Sequence, residues 1–210
     1  MADMAIQMEP FIYILDPSIH IRDIMAGTPE HIQELVNDLK NKNENIRWGA
    51  AFALVKIGEP TVESLIHALD DPDSIVRLRA AWALGIIRDG RALRPLISAL
   101  RDGDWSVRMR ASDALGELMD NSAVEPLISL FRDENENVRR HAVMAISKIG
   151  DKSALPKLEV VLRDADWRVR MAVVMTFALW DGTIPQNLKA LALNDKNDDV
   201  KRIAKSILKE

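Results

Sequence analysis

One short pattern recurs along the chain at nearly constant spacing. An Asp or Asn is followed by two variable residues, a β-branched residue, and then Arg or Lys. It stands at Asn43-Ile46-Arg47, Asp73-Val76-Arg77, Asp104-Val107-Arg108, Asn135-Val138-Arg139, Asp166-Val169-Arg170 and Asn197-Val200-Lys201. The steps between successive basic residues are 30, 31, 31, 31 and 31. A single globular core makes no such demand on spacing, whereas a stack of equivalent units does.

Each unit reads as two helices. The first carries apolar residues at helical spacing, as in Leu65/Ile66/Leu69, Leu96/Ile97/Leu100 and Leu158/Val161/Leu162, with Pro95, Pro126 and Pro156 near helix starts where proline is tolerated. A short acidic turn follows, and the Asp or Asn of the recurring pattern is placed to N-cap the second helix. The second helix is rich in small residues: Ala80-Ala81-x-Ala83-Leu84-Gly85 and Ala111-Ser112-x-Ala114-Leu115-Gly116 are two examples. Its core side is read as Val76, Ala80, Leu84 and Ile87, and Trp180 aligns with the core positions Ile87 and Leu118. Gly58, Gly90, Gly150 and Gly182 are expected in turns between units. The repeats are placed at about 31–60, 61–91, 92–122, 123–153, 154–184 and 185–210, stacked cooperatively over 31–210. Residues 1–30 form an N-terminal segment or cap, with the apolar run Phe11-Ile12-Tyr13-Ile14-Leu15 and a short helix expected over Ser18–Ala26.

Composition narrows the function. With 48 % hydrophobic and 29 % charged residues, the chain is a folded rather than a disordered one. Its formal charge of -4 gives no global case for nucleic acid or an anionic membrane. There is no cysteine, which removes disulfides, thiolate catalysis and cysteine-ligated zinc. No stretch approaches 18 uncharged apolar residues, and no basic start precedes an apolar run; the expectation is a cytoplasmic protein with no membrane span.

Asp71, Asp73, Val76, Arg77, Ala80, Ala81, Ala83, Leu84 and Gly85 spell D-x-D-x-x-V-R-x-x-A-A-x-A-L-G. With the period, this resembles the HEAT-like repeats of the type named for phycobilisome lyases (PBS lyase HEAT-like repeats) over roughly residues 31–210. The resemblance implies an all-α, armadillo-like fold: an alpha-alpha superhelix, a right-handed α-solenoid of about six helix pairs. It also implies that the second helices line the concave side. A further implication is that interior Asp and Arg residues link neighbouring repeats, here Asp71, Asp102, Asp133 and Asp164 with Arg77, Arg108, Arg139 and Arg170. The family includes enzyme accessories, enzymes and binding scaffolds.

The positions that the period leaves free carry the functional signal. On the outer side of the second helices stand Trp48 and Phe52, then Ile75, Leu78, Trp82 and Ile86, then Trp105 and Met109 with Arg110, Asp113 and Glu117. Arg140, His141, Met144 and Lys148 follow, and then Trp167, Met171, Met175 and Leu179. A helix row facing water is mostly polar; large aromatic and Met side chains there point to a partner surface. The candidate anchors are Trp48, Phe52, Ile75, Leu78, Trp82, Trp105, Met109, Met144, Trp167, Met171 and Met175. Arg110, Asp113, Arg140 and Lys148 are candidates for orientation and charge matching. The alternative is that tight packing or the N-terminal segment buries these residues.

Catalytic patterns are missing. His20, His31, His67 and His141 show no metal-ligand spacing, and there is no His-Glu dipeptide of the kind that holds iron in some HEAT-like hydroxylases. No phosphate loop, dinucleotide fingerprint or nucleophile elbow is present. The reading is a non-enzymatic scaffold without cofactor or metal that binds a protein or peptide, with homo-oligomeric contact through the apolar face as a variant. Its competitors are a nucleic-acid-binding or base-repair HEAT-like protein, using Arg79, Arg110, Arg140, Lys148, Arg168 and Arg202, and an accessory subunit of a lyase-type enzyme. The interspersed acids Glu44, Asp113, Glu117, Glu136, Asp198 and Asp199 argue against nucleic acid.

Overall fold

The structure, a computed structural model, describes residues 27–181 and 186–208. The apolar run at 11–15, the helix expected at 18–26 and Gly182 lie outside these residues. The described residues form twelve α-helices with no strand among them, arranged as helix pairs, and the chain divides into two compact units between Ala92 and Leu93.

The first unit holds α1 (Pro29–Asp38), α2 (Glu44–Ile57), α3 (Val62–Ala68) and α4 (Ser74–Ile87). Each helix start has a local cause. Thr28 accepts from the His31 N–H with Pro29 in the first turn, and Asn43 and Asp73 accept from the N–H groups of Asn45 and Ile75. α2 ends at Gly58 with φ 78°. A 3-10 turn, Glu59–Thr61, then leads into α3, and the buried Thr61 hydroxyl donates to the carbonyls of Leu54 and Gly58. Ile32, Leu35, Leu54, Val62, Leu65 and Val76 are buried in the core.

The second unit contains α5 (Leu93–Ala99), α6 (Trp105–Leu118), α7 (Val124–Ser129), α8 (Glu136–Ile149), α9 (Leu155–Val161), α10 (Trp167–Asp181), α11 (Gln186–Leu193) and α12 (Asp198–Leu208). Asp104 and Asn135 cap α6 and α8, while Asp166 and Asn197 accept from the N–H groups of Arg168 and Asp199. The core runs through Val143, Leu158, Val169, Val173, Phe177, Leu188 and Val200. Trp180, expected as a core residue, is half-buried at the edge of this cluster, and its indole N–H donates to the Ser147 carbonyl at 2.9 Å. Gly116 explains how closely α6 and α8 approach: a Cβ at this position would lie 2.9 Å from the Ala145 Cα.

The basic residue of the recurring pattern has two jobs. Its Nη1 donates to carbonyls in the turn of its own repeat: Arg47 to Asn41, Arg77 to Asp71, Arg108 to Asp102, Arg139 to Asp133 and Arg170 to Asp164, each at 2.8 Å. Those carbonyls follow the end of the first helix and have no helical partner. In the second unit the remaining fork of the guanidinium reaches the next repeat. Arg108 pairs with Asp133, Arg139 with Asp164 and Arg170 with Asp195, each through Nε and Nη2. Each carboxylate also accepts a backbone N–H two residues on, from Asn135, Asp166 and Asn197. These forks hold the three arginines above their ordinary basicity, against the opposing effect of burial. For Asp195, burial pushes the pKa up, but the Arg170 fork and the Asn197 N–H outweigh it, so the net shift is downward. Asp195 is the position that sequence reading left out of the series, although it occupies the same turn position as Asp133 and Asp164.

Candidate functional site

In the first unit, the outer residues of α2 and α4 pack on one another. Trp48 and Trp82 meet edge to face at 5.4 Å between ring centroids, and Phe52 and Trp82 do so at 5.0 Å; Trp48 and Phe52 lie 6.0 Å apart. All three rings are half-buried. The Arg79 guanidinium lies 5.0 Å from the centre of the Trp48 ring, a cation–π contact, and its Nη1 donates to the Ile75 carbonyl. Arg79 is buried, and burial followed by the nearby Arg47 lowers its pKa. A buried arginine under an aromatic cluster is not disposed to track phosphates in solvent. Ile75 and Ile86 remain exposed, and Leu78 is half-buried.

In the second unit, the outer face has two different halves. Between α6 and α8 it is polar. Arg110 Nη1 lies 3.3 Å from Asp113 Oδ2, Asp113 Oδ1 lies 2.5 Å from His141 Nδ1, and His141 Nε2 lies 3.2 Å from Arg140 Nη2. Lys148 forms an ion pair with Glu117. Two of the charged residues singled out for partner contact are therefore engaged across neighbouring helices, Asp113 with His141 and Lys148 with Glu117, and Asp113 also meets Arg110 of its own helix. His141, which the sequence places on the variable side but which is not among the candidate contact residues, joins this cluster. Its signal was its place beside Arg140 on the variable side of α8. Asp113 and Glu117, an i,i+4 acidic pair, face His141 and Lys148 of α8, and no group of three metal-ligating side chains occurs among the described residues.

Between α8 and α10 the face is apolar and open. Trp167, Met171, Met175 and Leu179 follow one another every four residues along α10, so they form one row on its surface. Met144 stands opposite on α8. A groove of about 540 Å³ runs between these rows, with Arg140, Lys148 and Arg168 also in its lining. Leu179 is 75 % exposed, Met175 51 % and Met144 50 %. Trp105, at the start of α6, is exposed like Trp167 at the equivalent position of α10, and Met109 is half-buried. Large apolar side chains left in water on one continuous strip are the feature that ordinary surface composition does not account for.

The family model described as HEAT repeats matches residues 21–85, 62–136 and 124–209. Among solved structures, the Escherichia coli protein YibA is similar at 26 % identity and a TM-score of 0.71, covering 84 % of this chain and 69 % of that one. A chain of the CpcE and CpcF complex of phycocyanin lyase from Nostoc sp. PCC7120 is similar at 26 % identity and a TM-score of 0.66, covering 70 % and 98 %. A designed armadillo repeat protein in complex with the peptide (KR)4 shares the fold at 22 % identity and a TM-score of 0.56, covering 85 % and 98 %. A comparison with curated proteins gave no significant match.

Proposed function

The chain belongs to the HEAT-repeat family, and on that premise we propose that it is a non-enzymatic scaffold that binds a protein or peptide through the outer row of its second helices. The observation that carries this is the apolar strip of α8 and α10, where Met144, Trp167, Met175 and Leu179 are exposed in a groove. Met and Trp supply contact area at modest ordering cost, and flexible Met side chains adapt to a partner's shape. The Trp48, Phe52 and Trp82 cluster has a different place in the proposal. Its rings already satisfy one another, so it stiffens the first unit and offers only its rim to a partner.

The relatives support this reading in general terms. The CpcE and CpcF proteins form a complex with each other, so a chain of this type is found in a protein–protein assembly. Assigning the partner surface to the concave side of the second helices belongs to the proposal.

The test is retention of proteins by immobilised chain from native lysate, followed by affinity measurement with each purified candidate. Met175→Glu/Leu179→Glu is compared with wild type. A specific partner whose affinity collapses in the double variant supports the site; the same partners held equally by both proteins overturn it.

A further inference from the structure

The groove of the second unit has a charge preference as well as an apolar floor. Three cationic side chains line it, Arg140, Lys148 and Arg168, and no Asp or Glu does. Lys148 is half exposed beside Glu117, and Arg168 is similarly open while touching Asp166 and Glu136. Arg140 is the least compensated: its side chain meets the Asn137 amide oxygen at 3.5 Å and His141 Nε2 at 3.2 Å, and no carboxylate pairs with it among the described residues. The lining of the groove therefore carries cations and no acid around Met and Leu, and Arg140 is the cation among them without a carboxylate partner.

Its size limits what can fill it. The row from Trp167 to Leu179 advances twelve residues along α10, about 18 Å at 1.5 Å per residue. An extended segment covers that distance in roughly five or six residues. A groove of about 540 Å³ takes a few side chains and not a folded domain.

We infer that the α8–α10 groove recognises a short acidic peptide segment of a partner protein, with apolar anchors seated on Met144, Met175 and Leu179 and flanking carboxylates facing Arg140, Lys148 and Arg168. This inference rests on the scaffold reading and adds the partner's chemistry to it. Carboxylates at the rim set orientation and speed encounter, and the apolar anchors supply most of the affinity. Neither half suffices alone: a basic segment finds no carboxylate in the lining and meets the like charge of Arg140, and an acidic segment without anchors leaves the strip in water.

Phage selection of a random 12-residue peptide library on the full chain tests it, with Met175→Glu/Leu179→Glu as the counter-target. Both substituted residues are at least half exposed, so folding is retained, and circular dichroism verifies that. The expected outcome is enrichment of peptides with apolar residues bracketed by Asp or Glu. Their affinity should fall at least about tenfold in the double variant, and again as salt is raised from about 50 to about 500 mM. Enriched peptides that are basic or uncharged, yet still lost in the double variant, overturn the acidic assignment and leave the scaffold reading standing. Selected peptides that bind both proteins equally, or no enrichment over the counter-target, overturn both. Binding of the apolar dye anilinonaphthalene sulfonate in the groove without any peptide enrichment identifies a small-molecule cavity, which also overturns the inference.

Discussion

Arg139 grips Asp164, a residue 25 positions further along the chain and in the following repeat. Its Nε and Nη2 meet the two carboxylate oxygens at 2.7 and 2.9 Å, while its Nη1 holds the Asp133 carbonyl of its own turn at 2.8 Å. One guanidinium thus closes its own helix pair and fastens the next. The flat five-donor fork suits Arg to both tasks at once at Arg108, Arg139 and Arg170, which a single amine could not do.

Breaking that link should be expensive. The two side chains are 14 % and 8 % exposed, so removal of either leaves the other charge largely out of water. Arg139→Ala or Asp164→Ala is expected to lower stability by about 3 kcal/mol, and Arg139→Lys by somewhat less because it keeps the charge while its one amine cannot replace the fork. Urea unfolding followed by circular dichroism measures it. A loss under about 0.5 kcal/mol would show that the pair contributes no more than a surface ion pair.

The acid limb of stability should depend on Asp166. Its carboxylate is held down to about 2, first by the Arg168 side chain, with burial opposing and the Arg168 N–H assisting. An unfolded Asp titrates near 3.9, so the folded chain binds this proton more weakly and the contribution is present above about pH 4 and lost as pH falls toward about 2. Asn caps the equivalent helices at Asn43 and Asn135. Asp166→Asn is therefore expected to keep the cap but flatten the fall of the urea midpoint between about pH 5 and pH 2.5. Identical slopes for both proteins would count against this assignment.

The repeat made the paired helices and their caps legible, because Asn43, Asp73, Asp104 and Asn135 each mark a helix start by local chemistry. Depth was not legible. Trp82 and Leu179 both stand on the variable side of a second helix, and helical spacing treats them alike. Trp82 is half-buried because Trp48 and Phe52 reach it from α2, whereas Leu179 has no such cover. That difference depends on side-chain size across neighbouring helices, which no period contains. The contact of His141 with Asp113 spans 28 residues and has the same origin. The 3-10 turns before the first helices were also missed, although the buried Ala92, Ala123 and Ala154 recur in them every 31 residues.

Close approach of α6 and α8 predicts an unforgiving glycine. In Gly116→Ala the new methyl would press on the Ala145 Cα at 2.9 Å and its Cβ at 3.1 Å. The backbone atom cannot be trimmed, so the helices must separate, at an expected loss of about 1–3 kcal/mol. Ala145→Gly added to Gly116→Ala should restore only part of that loss, because it removes the Cβ contact alone. Full recovery in the double variant would place the strain on the Cβ and not on the helix spacing.

Two helix ends test backbone strain without touching the core. Gly150 closes α8 with φ 82°, while the equivalent Met119 closes α6 with φ 54° and is exposed. Nothing lies within 4 Å of a Cβ built at Gly150. Gly150→Ala is therefore expected to lose about 1 kcal/mol from the left-handed conformation alone, and Met119→Gly to gain a comparable amount. Thermal unfolding should move in opposite directions for the two variants; a shift of the same sign in both would remove cap conformation as the cause.

The two halves of the apolar signal should separate when stability and binding are measured on the same variants. Trp82→Ala deletes a ring that meets both Trp48 and Phe52, so a loss of about 3 kcal/mol in unfolding free energy is expected. Leu179→Glu changes a side chain that is 75 % exposed, and stability should stay within about 0.5 kcal/mol of wild type. Binding of a selected peptide should show the reverse order, with little change for folded Trp82→Ala and at least about a tenfold loss for Leu179→Glu. If Trp82→Ala removes peptide binding at a temperature where it remains fully folded, while Leu179→Glu leaves it intact, the partner surface belongs to the aromatic cluster of the first unit and not to the groove of the second.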